Sequence, residues 1–211
     1  MDLSSPFVIT ISRQLGSGGA YLGQQLSRKL NIHYADREII TKAAEQLSVL
    51  EEKVDSRNEK VQSFWSSFLQ FSAFAPDVYI PQKIMEPTDY ELFTIQSEII
   101  KRIAREHSAV IIGRCGFHLF RDHPNHLSIF LHAGIAFRKS RIRNLYNVSD
   151  ETAAKMIAES DKGRALYCKT FTGKEWTDAK NYDISLDTEK TGIENAVELI
   201  LYYLNHKTLN Y

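Results

Sequence analysis

Five short runs of apolar, largely β-branched residues punctuate this chain: Phe7 to Ser12, His33 to Asp36, Ala109 to Gly113, Leu127 to His132 and Tyr182 to Asp187. Between them the apolar positions change to helical spacing. Leu22, Leu26 and Leu30 recur every four residues, as do Ile95, Ile99 and Ile103, while Val197, Leu201 and Leu204 mark a last helix. A 3.6-residue period collects such side chains on one helix face, whereas a short continuous apolar run suits a strand buried on both sides. Thr88-x-x-Glu91, preceded by Pro87, and Thr191-x-x-Glu194 read as capping boxes that open two of the helices. Strands alternating with helices predict an α/β fold with right-handed crossovers and a parallel sheet, and a ligand site outside the strands' carboxyl ends.

Two stretches break the alternation. Residues 54–87 carry Phe64, Trp65, Phe68, Phe71 and Phe74 and are bounded inside by Pro76 and Pro81, which predicts a helical insertion that handles an acceptor. Aromatics at helical spacing are first of all core; a base-stacking wall or a homodimer contact are the functional uses open to them. Ser149 to Gly173 reads as one long helix or a bent pair, the centre of a lid over about 138–174. With no internal repeat, residues 1–211 read as one domain.

Composition narrows the choice of ligand. Lys plus Arg and Asp plus Glu number 26 each, so no overall field draws the protein to nucleic acid or to an anionic membrane. Any anion site is therefore local, and Arg138 to Lys174 supplies it with nine basic residues against four acidic ones. Met1 to Pro6 lacks the pattern of a secretory leader, and no apolar run reaches membrane length. Cys115 and Cys168 have no metal-ligand spacing and suit a reducing compartment, so the expected location is cytoplasmic. His118, Asp122, His123 and His126 lie close in sequence, but Pro124 breaks any helix that would align them, and no metal held directly by side chains is predicted.

After the first strand comes Ser12-Arg13-Gln14-Leu15-Gly16-Ser17-Gly18-Gly19-Ala20-Tyr21, followed by a helical pattern. Glycines let successive N–H groups converge on an anion, and a helix N-terminus adds partial positive charge, so Gly16, Ser17, Gly18, Gly19, Ala20 and Tyr21 are the candidate phosphate-binding residues. The dinucleotide fingerprint fails because Tyr21 stands where its third glycine belongs, which weakens an NAD-type oxidoreductase reading. Against the Walker A pattern in the register Arg13 to Ala20, Gly18 is kept, but Gly19 replaces the lysine and Ala20 the magnesium-binding hydroxyl. Arg13 is the nearest cation able to compensate.

The order of motifs resembles the cytidylate kinase-like family. The resemblance runs from Val8-Ile9-Thr10-Ile11-Ser12-Arg13 and the glycine loop through Tyr34-Ala35-Asp36-Arg37-Glu38, Gln96-Ser97-Glu98-Ile99-Ile100 and Val110-Ile111-Ile112-Gly113-Arg114. It continues to Arg138-x-x-Arg141, Asp161-x-x-Arg164 and Asn181-Tyr182-Asp183. Cytidylate kinases proper follow Gly-Arg with aspartate, where this chain has Cys115. The resemblance implies a P-loop, nucleotide-kinase-like three-layer fold with a five-stranded sheet in the order 2-3-1-4-5 and helical acceptor-binding and lid insertions. It further implies an ATP-dependent kinase that uses ATP and Mg2+ and passes a phosphoryl group to a nucleoside monophosphate or another small acceptor. The residues it assigns to the chemistry are Arg13, Asp36, Arg114, Arg138, Arg141, Asp161 and Arg164. The alternative is a nucleotide-binding or regulatory protein on the same fold without catalysis, which the missing lysine and hydroxyl would permit.

Overall fold

The computed structural model describes residues 5–36 and 88–206. The insertion expected at 54–87 lies outside these described residues. Within them the chain runs β1 (Val8–Arg13), α1 (Gly19–Leu30), β2 (His33–Ala35), α2 (Thr88–Glu106), β3 (Ala109–Ile112), α3 (Gly116–Leu119) and β4 (His126–His132). It continues through α4 (Ile135–Tyr146), α5 (Asp150–Thr172), a short 3-10 turn at Ala179–Asn181, β5 (Ile184–Asp187), α6 (Thr188–Thr191) and α7 (Ile193–His206).

The five strands form one parallel sheet in the order β2-β3-β1-β4-β5. The two-residue period of β1 divides its side chains between two layers. Ile9 and Ile11 pack with Leu22 and Leu26 of α1 and with Ile193, Val197, Ile200 and Leu204 of α7. Val8 faces the other way, toward Ile99, Ile100 and Ile103 of α2. Helices thus cover both faces, as a parallel sheet requires, and burying each of these large aliphatic side chains contributes roughly 1.5–3 kcal/mol. Because β1 lies in the middle, its carboxyl end delivers the glycine loop to the centre of the sheet's edge.

The helix after Val148 is a single 23-residue element, capped by Ser149, whose side chain accepts from the Thr152 N–H, and ended by Gly173 in the left-handed conformation. Its Ala153 and Ile157 pack with Ile142 of α4 around Leu15, so the loop's one large apolar side chain pins the α4–α5 pair beneath the loop. Two expectations shift. Thr191 ends α6 and donates to the Asp187 carbonyl, and the Ala196 N–H bonds the Gly192 carbonyl, so Gly192 rather than Thr191 stands at the start of α7. Tyr182 and Asp183 precede β5 rather than belonging to it: the Asp183 carboxylate accepts from both the N–H and the hydroxyl of Ser128, at 2.8 Å each, and staples β5 to β4.

Candidate phosphate site

The loop between β1 and α1 is built by its own short bonds. The Ser17 N–H and hydroxyl both donate to the Gln14 carbonyl, at 3.2 and 2.8 Å, and the Leu22 N–H takes the Gly18 carbonyl at 3.0 Å. From the β5 side, the fully buried Thr188 hydroxyl lies 2.9 Å from the Ser17 carbonyl and 3.1 Å from that of His132. Gly18 has φ +84°, and a Cβ there would stand 2.5 Å from Ile193 Cδ1, so neither its backbone nor its neighbourhood admits a side chain. No side chain caps the start of α1, and its first turn holds no acidic residue. The first-turn N–H groups of α1 therefore keep their pull on an anion.

Arginines surround this turn in two distinct ways. Arg138, only 7% exposed, is held on all sides: its Nε donates to the Ala133 carbonyl, and its Nη1 reaches the Leu15 carbonyl at 3.3 Å and Asp161 Oδ2 at 2.6 Å. Asp161 Oδ1 in turn accepts from the Leu15 N–H at 3.0 Å, and Arg164 Nη1 donates to the Arg13 carbonyl at 3.0 Å while lying 3.9 Å from Asp161. These three residues brace the loop from α4 and α5. The lid arginines expected to close over a ligand thus include two, Arg138 and Arg164, that bond the loop's own backbone.

Arg13 and Arg141 are placed otherwise. The Arg13 stem crosses Gly19, where a Cβ would meet Arg13 Cγ at 2.6 Å and Cβ at 2.8 Å, and its guanidinium lies against Gly113 beyond β3. Gly19 occupies the Walker lysine position, so the arginine stem fills the space that a lysine's first carbon would take. Arg141 approaches from α4, its Nη2 at 3.6 Å from the Cβ position of Gly18. The Nε of each is buried without an acceptor, and neither has a carboxylate partner among the described residues. Two guanidinium groups without a carboxylate partner among the described residues therefore stand beside the loop, one over Gly19 and one near Gly18.

At the end of β3, Gly113, Arg114 and Cys115 adopt left-handed φ angles of 71°, 52° and 54° in succession. Left-handed backbone costs a non-glycine residue on the order of 1–3 kcal/mol, and here it is held by the bond from the Gly116 N–H to the Gly113 carbonyl. The turn keeps Arg114 at the same sheet edge as the loop. Asp36, just beyond β2, accepts from the Tyr34 hydroxyl at 3.3 Å, and that hydroxyl also lies 3.5 Å from the Ala20 carbonyl, linking the β2 end to the loop. Tyr21 points outward, 42% exposed. A nucleotide's phosphates fit this arrangement of uncapped amides and guanidiniums that lack a carboxylate partner among the described residues. A magnesium ion finds no ready hydroxyl in the loop, since Ala20 has none and the Ser17 hydroxyl is spent on Gln14; it would arrive held by the nucleotide's own phosphates.

Sequence reasoning did not single out Gln14 and Leu15, which shape the loop from within, or Thr188 and Ile193, which shape it from the starts of α6 and α7. The only signal was position: Thr188 directly follows a predicted strand end, where ligand-side residues cluster. The histidines disperse: His126 Nε2 bonds the Thr10 hydroxyl at 2.8 Å, His123 Nδ1 accepts from the Asn125 N–H, and His118 lies against Arg121.

A parallel sheet in this strand order, with a glycine loop passing from the central strand into a helix, defines the P-loop kinase fold. Solved structures agree: an uncharacterized protein from Eubacterium ventriosum ATCC 27560 superposes with a TM-score of 0.69 at 22% identity, covering 95% of this chain and 99% of that one. Shikimate kinase from Bacteroides thetaiotaomicron gives 0.54 at 13% identity over 94% and 98% of the two chains. The chain belongs to the cytidylate kinase-like family, whose pattern spans residues 8–190. Among its relatives, a cytidylate kinase of Sulfurisphaera tokodaii is 25% identical over 94% of this chain and 95% of its own length. One from Saccharolobus islandicus is 26% identical over 55% of this chain, and the chain spans 61% of that relative's length. No helix among the described residues is long and apolar enough to cross a membrane.

Proposed function

We propose that this protein is an ATP-dependent phosphotransferase that binds the nucleotide's phosphates at Gly16 to Tyr21 and passes the terminal phosphoryl group to a small acceptor. The observation that carries the reading is the pair of guanidiniums beside the uncapped loop, Arg13 and Arg141, each with a buried Nε lacking an acceptor and no carboxylate partner among the described residues. Phosphoryl transfer demands chiefly positioning and positive charge around the transferring group, and a charge buried without a partner is costly unless a ligand completes it. Arg13 takes the part of the absent lysine. Arg141 neutralises the phosphates from beside Gly18. Arg138, Asp161 and Arg164 are positioning residues, fixing the backbone of Arg13 and Leu15 so that the loop amides stay aligned.

The acceptor site is the sheet edge between Asp36 and Arg114, where one carboxylate orients a hydroxyl and one guanidinium binds an acceptor phosphate. A nucleoside monophosphate suits that pairing, and the names of the archaeal relatives favour it. Gly19 and Ala20, at the lysine and hydroxyl positions, favour a second reading in which the chain binds the nucleotide without turning it over.

The test combines calorimetric binding of ATP and ADP with ATP consumption across a panel of nucleoside monophosphates and small hydroxylated acceptors. Loss of a charge-assisted hydrogen bond of roughly 1.5–3 kcal/mol predicts that Arg13→Ala and Arg141→Ala each weaken ATP binding by about 10- to 150-fold. Saturable binding with no turnover on any acceptor selects the second reading. Unchanged ATP affinity in both variants removes the compensation argument.

A further inference from the structure

Among the described residues no hydrogen bond takes the N–H of Gly16 or of Gly18. The N–H groups between and before them are spent, that of Leu15 on Asp161 and that of Ser17 on the Gln14 carbonyl. This alternation has a geometric cause. In a trans peptide the C=O and the N–H that follows it point in opposite directions, so whatever holds a carbonyl also aims the next amide. The Leu15 carbonyl faces Arg138 Nη1 at 3.3 Å, which turns the Gly16 N–H away from that guanidinium. The Ser17 carbonyl faces the Thr188 hydroxyl at 2.9 Å, which turns the Gly18 N–H away from the buried end of β5.

Thr188 is held firmly where it stands. It is fully buried, and its hydroxyl lies between the Ser17 carbonyl and that of His132, 3.1 Å away at the end of β4. Its β-branched side chain has few rotamers. The turn that carries it is fixed by the Asp187 carboxylate, which accepts from the N–H groups of Glu189 and Lys190. A few residues on, Ile193 closes against Gly18, its Cδ1 2.5 Å from the Cβ position there. One short stretch of chain thus grips the Ser17–Gly18 peptide at its carbonyl and flanks it at Gly18.

We propose that Thr188 is a positioning residue for phosphate binding: by holding the Ser17 carbonyl, its hydroxyl keeps the Gly18 N–H aimed at the bound anion. The inference rests on the phosphate-binding reading above and adds to it a residue 171 positions from Ser17, outside the glycine loop itself. Thr188 does not touch the ligand; it acts through the Ser17–Gly18 peptide. Gly18, having no Cβ, leaves that peptide plane easy to rotate, so the hydroxyl supplies the restraint that the glycine backbone lacks. Arg138 plays the matching part for the Gly16 N–H through the Leu15 carbonyl.

The experiment uses the full chain with inorganic tripolyphosphate and, separately, ATP, each followed by calorimetry well below the unfolding temperature. Thr188→Val removes the hydroxyl and should weaken both ligands by about 3- to 10-fold, the span of one lost hydrogen bond, while Thr188→Ser, which keeps the donor, recovers the parent's affinity. Thr191→Val is the control: its hydroxyl bonds the Asp187 carbonyl in the same turn, so its loss should lower the melting temperature and leave both affinities unchanged. Amide NMR of the unmodified chain needs no variant to fold. Tripolyphosphate should move the N–H signals of Gly16 and Gly18 and leave those of Leu15 and Ser17 nearly in place. A Thr188→Val protein that melts lower yet binds tripolyphosphate like the parent overturns the proposal, as does a titration that moves the Ser17 signal and not that of Gly18. Tripolyphosphate binding that depends on Thr188, with no binding of ATP, upholds it and refutes the nucleotide reading instead. A parent that binds neither ligand overturns both.

Discussion

Placing a single carbon on Gly19 tests the link between Arg13 and the missing lysine most directly. Gly19 is the first residue of α1, where alanine ordinarily improves a helix by roughly 0.5–1 kcal/mol over glycine. Here the new Cβ would stand 2.6 Å from Arg13 Cγ, 2.8 Å from its Cβ and 3.4 Å from its Cδ. Carbon atoms in contact rest about 3.5–4.0 Å apart, so two of these approaches overlap by nearly 1 Å. Rotation can move Cγ and Cδ away, but the Arg13 Cβ is fixed by the backbone at the end of β1, so strand or helix must shift. Overpacking of this kind costs about 1–3 kcal/mol, which outweighs the propensity gain and reverses the usual sign. Gly19→Ala is therefore expected to melt lower, by about 2–4 °C for each kcal/mol of net loss. Gly19→Lys, which restores the Walker residue, should be destabilised as well and bind ATP no more tightly than the parent. Adding Arg13→Gly, which clears the stem, should recover stability in both cases, giving a coupling energy of about 1 kcal/mol or more in a double-mutant cycle. Thermal unfolding and ATP calorimetry on the four proteins of each cycle decide the matter. A Gly19→Ala protein that melts above the parent, with no coupling to Arg13, would refute the steric interlock and with it the claim that Arg13 fills the lysine's place.

Three further outcomes follow from named contacts. Asp161→Ala leaves Arg138 buried without its carboxylate and frees the Leu15 N–H, and should cost about 3–5 kcal/mol in urea denaturation, with Asp161→Asn, which keeps an acceptor for Leu15, losing less. Gly18→Ala meets both a left-handed φ and the Ile193 side chain, so it should lose roughly 1–3 kcal/mol and weaken ATP binding, whereas Gly173→Ala, also left-handed but open around its Cβ position, should lose stability alone. The nearby Cys115 lowers the Cys168 thiol from its ordinary value of 9.0 toward about 7, against burial. The thiolate is the reactive form, so the alkylation rate of Cys168 should rise with pH, and its rise should move to higher pH after Cys115→Ala.

How much of this was legible beforehand differs from level to level. All five strands and the long α5 helix were readable because burial imposes periods of two and 3.6 on the chain, and those periods survive in any α/β protein that covers both faces of a parallel sheet. The glycine loop was readable because glycine adopts left-handed backbone such as that of Gly18 without the strain other residues incur. Arg138, Asp161 and Arg164 were visible as motif residues, yet nothing in their spacing distinguished a guanidinium that braces the loop from one that faces a phosphate. Thr188 and Ile193, which shape the loop from about 170 positions away, left no local trace.

By itself, then, the order of residues determined the layering, the strands and the position of an anion-attracting turn, because these depend on local backbone preference and on the periodic burial of apolar side chains. Only the tertiary structure decided which charges are spent: Arg138 is neutralised by Asp161, while Arg13 and Arg141 have no carboxylate partner among the described residues. It likewise decided that Cys115 and Cys168 share one buried cluster. The physical reason is that partnership and shared burial depend on distance in space, which the packing of separate elements sets without recording it in any one stretch of the chain.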